Sequence, residues 1–291
     1  NRALLDNIFA LFIAINNKVP IFIVGKPGCS KSLSVQLINK SMKGTASNNF
    51  IFKQYPKIII NSYQGSMGST SEGVEKIFKK ARRALKRLYK EDKKKNISMI
   101  FFDEMGLAEH SPNNPLKVIH SELEYDLNEG EKKIAFVGIS NWVLDASKMN
   151  RAMFLSIPDL DEKDSKDTAF MIGQSYDKGL AEIYQNYYEN LGLTYFKYKH
   201  FLKSEHNQDG KEEFHGNRDF YHLVKIFSRE MVNMHQRDID PHIIENYGAL
   251  SIERNFGGLR FDGIKNATSI EKMKNIFSLT YPNVPVSSRY D

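Results

Sequence analysis

The sequence predicts an α/β fold: a mainly parallel five-stranded sheet covered on both faces by helices, followed by a smaller, mostly helical domain. Three observations carry this. Five short apolar bursts, at residues 20–24, 58–60, 97–102, 134–139 and 154–157, have helical patterns between most of them, as strands buried on both faces do. A glycine-bearing turn, Gly25 to Gly28, joins the first burst to a helical stretch. After Pro158 the alternation stops and helical periodicity remains, so the domains are expected at 1–160 and 161–291.

The elements follow in order. Leu4, Leu5, Ile8, Leu11, Phe12 and Ile15 repeat at helical spacing until Asn16-Asn17, and the first burst comes next. Beyond the turn a helix is expected over 31–42, then a polar loop, the second strand and a Gly/Ser-rich connection at 65–71. From 72 to about 90, Val74, Ile77, Phe78, Ala81, Leu85 and Leu88 line one helix face, while Lys79, Lys80, Arg83, Lys86 and Arg87 lie on others. Those cations are read as a solvated face rather than a nucleic-acid surface. Helices are expected again over 165–191 and 219–236.

Composition narrows the class. With 41% hydrophobic and 26% charged residues the 291-residue chain is an ordinary folded protein. The net charge of +6 is spread along the chain, which argues against a nucleic-acid partner. The single cysteine, Cys29, excludes a disulfide framework and a Cys-based zinc site, and fits a reducing cytosolic or nuclear compartment, of which the cytoplasmic one is expected. No stretch is long enough for a membrane span, and Asp6 and Asn7 within the apolar start speak against a signal peptide. The first residue, Asn1, already sits inside an amphipathic pattern, from which a longer parent protein is expected.

The strongest motif is Gly25-Lys26-Pro27-Gly28-Cys29-Ser30-Lys31-Ser32, between a predicted strand and a predicted helix. Backbone amides and a helix N-terminus there suit phosphates, Lys31 reaches the terminal ones and the Ser32 hydroxyl suits Mg²⁺. Leu33 is grouped with the loop, and Ser30 stands where glycine is usual. The third burst ends in Asp103-Glu104: Asp103 is assigned to the metal and Glu104 to the attacking water as base. Asn141 tips the fourth burst and suits orientation of that water, and Asn61 is expected to end the second strand beside Glu104.

This order of motifs resembles the AAA+ ATPases, and within them the AAA+ modules of mysterin, a giant RING-type ubiquitin ligase. The specific strings are Asp103-Glu104-Met105-Gly106-Leu107-Ala108-Glu109, Gly138-Ile139-Ser140-Asn141-Trp142, Lys148-Met149-Asn150-Arg151, Arg218-Asp219-Phe220-Tyr221 and Arg254-Asn255-Phe256-Gly257-Gly258. The resemblance implies a strand order of 5-1-4-3-2, a helical lid, ATP and Mg²⁺ as cofactors, and neighbouring AAA+ modules of the same or another chain as partners. It also implies that Arg151 is a finger acting on a neighbour's site and that Arg218 senses the terminal phosphate from the lid. Their structural rivals are a helix-capping arginine and an Arg218–Asp219 pair. Tyr63 is a weak candidate for an aromatic pore loop, and without a RING-type Cys/His array any link to ubiquitin runs through the parent.

The expected activity is ATP hydrolysis coupled to conformational change, weak in isolation. Rival readings are a nucleotide-holding structural module, a nucleic-acid-dependent ATPase and a small-molecule kinase.

Overall fold

The computed structural model describes residues 2–91, 96–128, 133–205, 211–237, 243–261 and 268–280, which fall into two compact units, Arg2–Asp159 and Leu160–Asp291. The first runs α1 (Arg2–Asn17), β1 (Ile21–Val24), α2 (Lys31–Ser41), β2 (Lys57–Gln64), α3 (Ser71–Glu91) and β3 (Asn96–Asp103). It continues through α4 (Met105–Glu109), α5 (Lys117–Asn128), β4 (Ala135–Ser140), α6 (Ala146–Met149) and β5 (Met153–Ser156). The strands form one parallel sheet ordered β2-β3-β4-β1-β5, the expected order.

Strand side chains alternate between two cores, because successive residues face opposite sides of a sheet. Ile21, Ile23, Met99, Val137 and Ile139 meet Leu11 and Ile15 of α1 and Val35 and Ile38 of α2. Phe22, Ile100, Phe102 and Phe136 meet Val74, Phe78 and Ala81 of α3 with Ile119 and Leu123 of α5. A fully buried residue of this size contributes about 1.5–3 kcal/mol, so both helix layers are held chiefly by this apolar burial. On α3 the cations Lys79, Lys80, Arg83, Lys86 and Arg87 are all exposed, on the side opposite the core.

Two elements depart from expectation. Strand β2 continues four residues past Ile60 and pairs with β3 along its whole length. Its polar second half hides the strand signal, since an edge strand can turn Ser62 and Gln64 to solvent. The other edge strand, β5, leaves Met153 and Phe154 exposed rather than covered on both faces.

The second unit holds α7 (Glu162–Tyr176), α8 (Lys178–Ile183), α9 (Gln185–Glu205), α10 (Asn217–Arg237), α11 (Ile244–Asn255) and α12 (Ser269–Thr280). The single helical span expected over 165–191 breaks at Asp177, which leaves the helical region and accepts a hydrogen bond from Leu180 N at 2.9 Å, starting α8 as an N-cap. Its core is aromatic: Tyr195 stacks on Phe220 with centroids 4.5 Å apart, and Tyr198, Phe227 and Phe256 are buried beside them. Buried His215 lies 2.8 Å from the Tyr198 hydroxyl through Nδ1 and 3.0 Å from Gly257 O through Nε2. Burial pushes its pKa below the ordinary value, with the Gly257 carbonyl and Asp219 opposing. Among the described residues no helix is long and apolar enough to cross a membrane.

Candidate active site at the carboxyl edge of the sheet

Parallel strands put all their carboxyl ends on one edge. At that edge β1 hands over to a tight loop. Gly25 N donates to Ser140 O at 3.2 Å, joining the loop to the end of β4. A Cβ on Gly25 would stand 2.8 Å from Cys29 Sγ and 3.0 Å from Ile157 Cβ, so only glycine fits. Gly28 has φ +87°, and Ser30, directly before α2, takes φ 63° and ψ 18°. A side chain in this left-handed region costs roughly 1–2 kcal/mol, so Ser30 holds the turn that glycine usually makes, at a penalty. The first amides of α2 then point out of the helix without intrahelical partners, beside the positive end of its dipole.

The loop closes around a cation. Lys31 is 6% exposed, and its Nζ donates to Gly25 O, to Lys26 O at 2.9 Å, and lies 3.7 Å from Cys29 Sγ. Burial pushes its pKa down, while Cys29 and then the carboxylates of Glu104 and Asp103 pull it back up. The Cys29 thiol is raised by burial and donates to Lys26 O at 2.8 Å. Half-buried Ser32 sits on the first turn of α2, exposed Leu33 follows it, and Pro27 is exposed at the loop tip. Lys26 pairs with Asp159 at 3.5 Å.

Two strands away, β3 ends in the carboxylate pair. Asp103 Oδ1 accepts from Glu104 N at 2.9 Å, and Glu104 takes φ 52° and ψ 44°, a strained conformation for a residue with a side chain. Asn141, first past β4, donates from Nδ2 to Glu104 Oε2 at 2.9 Å. Gly65 N donates to Asp103 O at 2.8 Å, and a Cβ on Gly65 would overlap Glu104 O and stand 2.9 Å from Glu104 C. Since β3, β4 and β1 are neighbours spaced about 4.8 Å apart, Asp103-Glu104, Asn141 and Gly25 occupy three adjacent strand ends. The geometry gathers free amides, a buried cation, two carboxylates and a side-chain amide. That donor set suits an anion with a hard divalent cation.

One assignment is corrected. Asn61 does not meet Glu104: its Nδ2 donates to Ser98 Oγ at 3.3 Å within the buried sheet. Because β2 runs on to Gln64, Asn61 stands opposite Ile100, and Gln64 is the residue opposite Asp103. Tyr63 is likewise no loop tip, packing on Phe102 with ring centroids 4.8 Å apart, while Met67 is the large apolar side chain exposed in that connection.

The two arginines lie elsewhere. Arg151 precedes β5, whose first residue Met153 donates to Pro20 O ahead of β1, so it sits at the amino edge of the sheet. The length of β5, about 10 Å of strand, separates that edge from the Lys31 loop. Its guanidinium pairs with Glu124 Oε1 at 2.6 Å and is 38% exposed. Arg218 is exposed on the first turn of α10 in the second unit, where Asp219 Oδ2 accepts from Gly216 N at 2.7 Å as a cap.

Sequence reasoning missed the supports. Gly65 was visible only as a small residue in a Gly/Ser run, and the Lys26–Asp159 pair joins residues too distant in the chain to be read together.

A family model described as the RNF213 AAA domain matches residues 1–164. The chain is 35% identical over 292 residues to "E3 ubiquitin-protein ligase rnf213-beta" of Danio rerio, covering 97% of this chain and 5% of that one. It is also 35% identical over 263 residues to "E3 ubiquitin-protein ligase RNF213" of Mus musculus and of Homo sapiens, covering 89% of this chain and 5% of each. The chain thus spans about a twentieth of the length of these relatives. Among solved structures, the "Structure of the Aeropyrum Pernix ORC2 protein (ADPNP-ADP complexes)" is similar with a TM-score of 0.56 at 11% identity, covering 87% of this chain and 68% of that one. At that identity the likeness is one of fold.

Proposed function

Because this chain belongs to the RNF213 AAA domain family, we propose that it is an AAA+ module that binds and hydrolyses ATP within a larger mysterin-like protein. The observation that carries the reading is Lys31: a buried cation held only by loop carbonyls and a thiol, across from Asp103 and Glu104. A triphosphate gives that cation a counter-anion and the α2 amides their acceptors.

ATP would supply the scissile anhydride, and the Ser32 hydroxyl and Asp103, hard oxygen donors, would hold a Mg²⁺ that neutralises charge on the phosphates. Pro27, Gly28, Cys29 and Ser30 line the phosphate loop with their amides where they carry one, and Leu33 offers apolar surface beside it. Glu104 orients a water and takes its proton, while Asn141 holds the carboxylate through the 2.9 Å bond. Arg151 sits at the wrong edge to serve its own loop, so it acts on a neighbouring module, exchanging Glu124 for the terminal phosphate. Such a cation is worth roughly 10³–10⁵ in rate, which makes the isolated module slow. Residues 161–291 act as the lid, with Arg218 sensing nucleotide from there. Any connection to ubiquitin transfer belongs to the parent protein.

The test is calorimetric titration with ATP, with and without Mg²⁺. The original chain binds and Lys31→Ala does not; equal binding by both overturns the site.

A further inference from the structure

The segment that follows Glu104 and the segment that follows β4 run side by side and are pinned at four successive points. Asn141 meets Glu104 at 2.9 Å. Trp142 covers Gly106 so closely that a Cβ there would stand 2.7 Å from Trp142 Cζ2 and 2.8 Å from Ser140 Oγ. Asp145 N donates to Glu109 Oε1 at 3.0 Å, and the rings of His110 and Trp142 lie 5.6 Å apart. Ser140 Oγ, in turn, bonds both the amide and the carbonyl of Trp142, which fixes the start of the loop.

The left-handed backbone of Glu104 does not hold itself. It is sterically disfavoured for a residue with a side chain, so its neighbours determine it: Gly65 presses from one side and α4 anchors the other. Core filling does not account for the indole, because Trp142 is 37% exposed, unlike Met105, Ala108 and Leu144 of the same two segments, which are buried in the core. What the indole does contact is the backbone of α4 at the one position without a side chain.

We propose that Trp142 is a positioning residue for the proposed reaction: its indole, seated against Gly106, sets the angle at which α4 leaves Glu104 and thereby the placement of the Glu104–Asn141 pair. The proposal rests on the nucleotide reading above. It makes the pair one rigid piece, registered by ring thickness, so that changing the spacer moves both polar groups relative to the phosphate loop while the loop itself stays put.

The test uses this chain with Gly106→Ala, Trp142→Phe and the double variant, each titrated with ATP and with ADP in Mg²⁺, alongside thermal unfolding. The Lys31 loop meets the phosphates that both nucleotides share, whereas the Asn141 amide, placed together with Glu104, meets the third. Each single variant therefore keeps its ADP affinity and loses about tenfold of its preference for ATP, the worth of one hydrogen bond to a charged group. The double variant, in which the added methyl takes up room the smaller ring leaves, regains most of that preference. An unchanged preference in the singles, an equal loss of both nucleotides, or a double variant no better than the singles overturns the proposal. If Gly106→Ala does not fold, the gain of the double over Trp142→Phe decides. An original chain that binds neither nucleotide fails the site reading itself, and this proposal with it.

Discussion

Gly65 gives the sharpest test of how the carboxylate turn is built. In Gly65→Ala the new Cβ overlaps Glu104 O and lies 2.9 Å from Glu104 C and 3.1 Å from Asp103 O. All three are backbone atoms, so no flexible side chain can yield. Ordinary contact begins near 3.5 Å and the tightest approach is the overlap with Glu104 O, so β2 and the Asp103-Glu104 turn must part by about 1 Å, stretching the bond from Gly65 N to Asp103 O. Overpacking of this kind costs about 1–3 kcal/mol. At roughly 2–4 °C per kcal/mol for a protein of this size, the unfolding midpoint falls by about 2–12 °C. A misplacement of about 1 Å at a reacting group costs about 10²-fold, so ATP turnover falls by between about tenfold and 10²-fold. ADP binding, which depends on the Lys31 loop, is retained. Gly68→Ala is the matched control, since its Cβ meets only Ser66 Oγ at 3.8 Å. Scanning calorimetry and phosphate release on the two variants decide the matter. Equal midpoints for both would refute the packing argument, and a normal turnover in a destabilised Gly65→Ala would refute the catalytic placement of the turn.

Three further outcomes are expected. Glu104→Gln keeps the shape and can still accept from Asn141, so ATP binding persists while turnover drops by about 10²-fold or more, as for loss of a general base; phosphate release read beside calorimetry checks both halves. The lowered pKa of Lys31 means that the ammonium deprotonates below the ordinary value of 10.5, so ATP affinity weakens as pH rises toward 10.5; a Lys31→Arg variant that binds ATP should hold its affinity through the same range. His215, also lowered, takes up its proton at a lower pH in the folded state than in the unfolded chain, which does so around 6.5. The unfolded state then binds more protons, so stability is intact above pH 6.5 and falls as pH drops below it, by up to about 1.4 kcal/mol per unit; thermal melts of the original and His215→Gln from pH 7 to 5 should show that extra slope only in the original.

The sheet was readable because a strand buried on both faces must be largely apolar: β1 is apolar throughout, and β3 and β4 are apolar but for a few polar residues. Their order and the glycine turn led to Lys31, Asp103, Glu104 and Asn141, which the fold brings to adjacent strand ends. Edges obey a weaker rule. Strand β2 keeps its hydrogen bonds while its side chains turn polar, so its end was set too early and Asn61 was assigned the wrong neighbour. The break at Asp177 was hidden for a related reason: a capping carboxylate inside a helical pattern looks like any other exposed acid. Arg151 shows a third limit, since residue spacing carries no information about which edge of a sheet a turn occupies. The strings around Gly106 and Trp142 stood out by resemblance, yet their steric reason appears only when the missing side chain of one is measured against the ring of the other.

Trp142 is the only tryptophan in the chain. Partly open to solvent and adjoining Asn141, it makes the protein's intrinsic emission, excited beyond the tyrosine band, a signal from one address. An unlabelled sample under ultraviolet light therefore reports on the loop beside the carboxylates, so that rates of local rearrangement there can be followed in a stopped-flow cuvette without a dye.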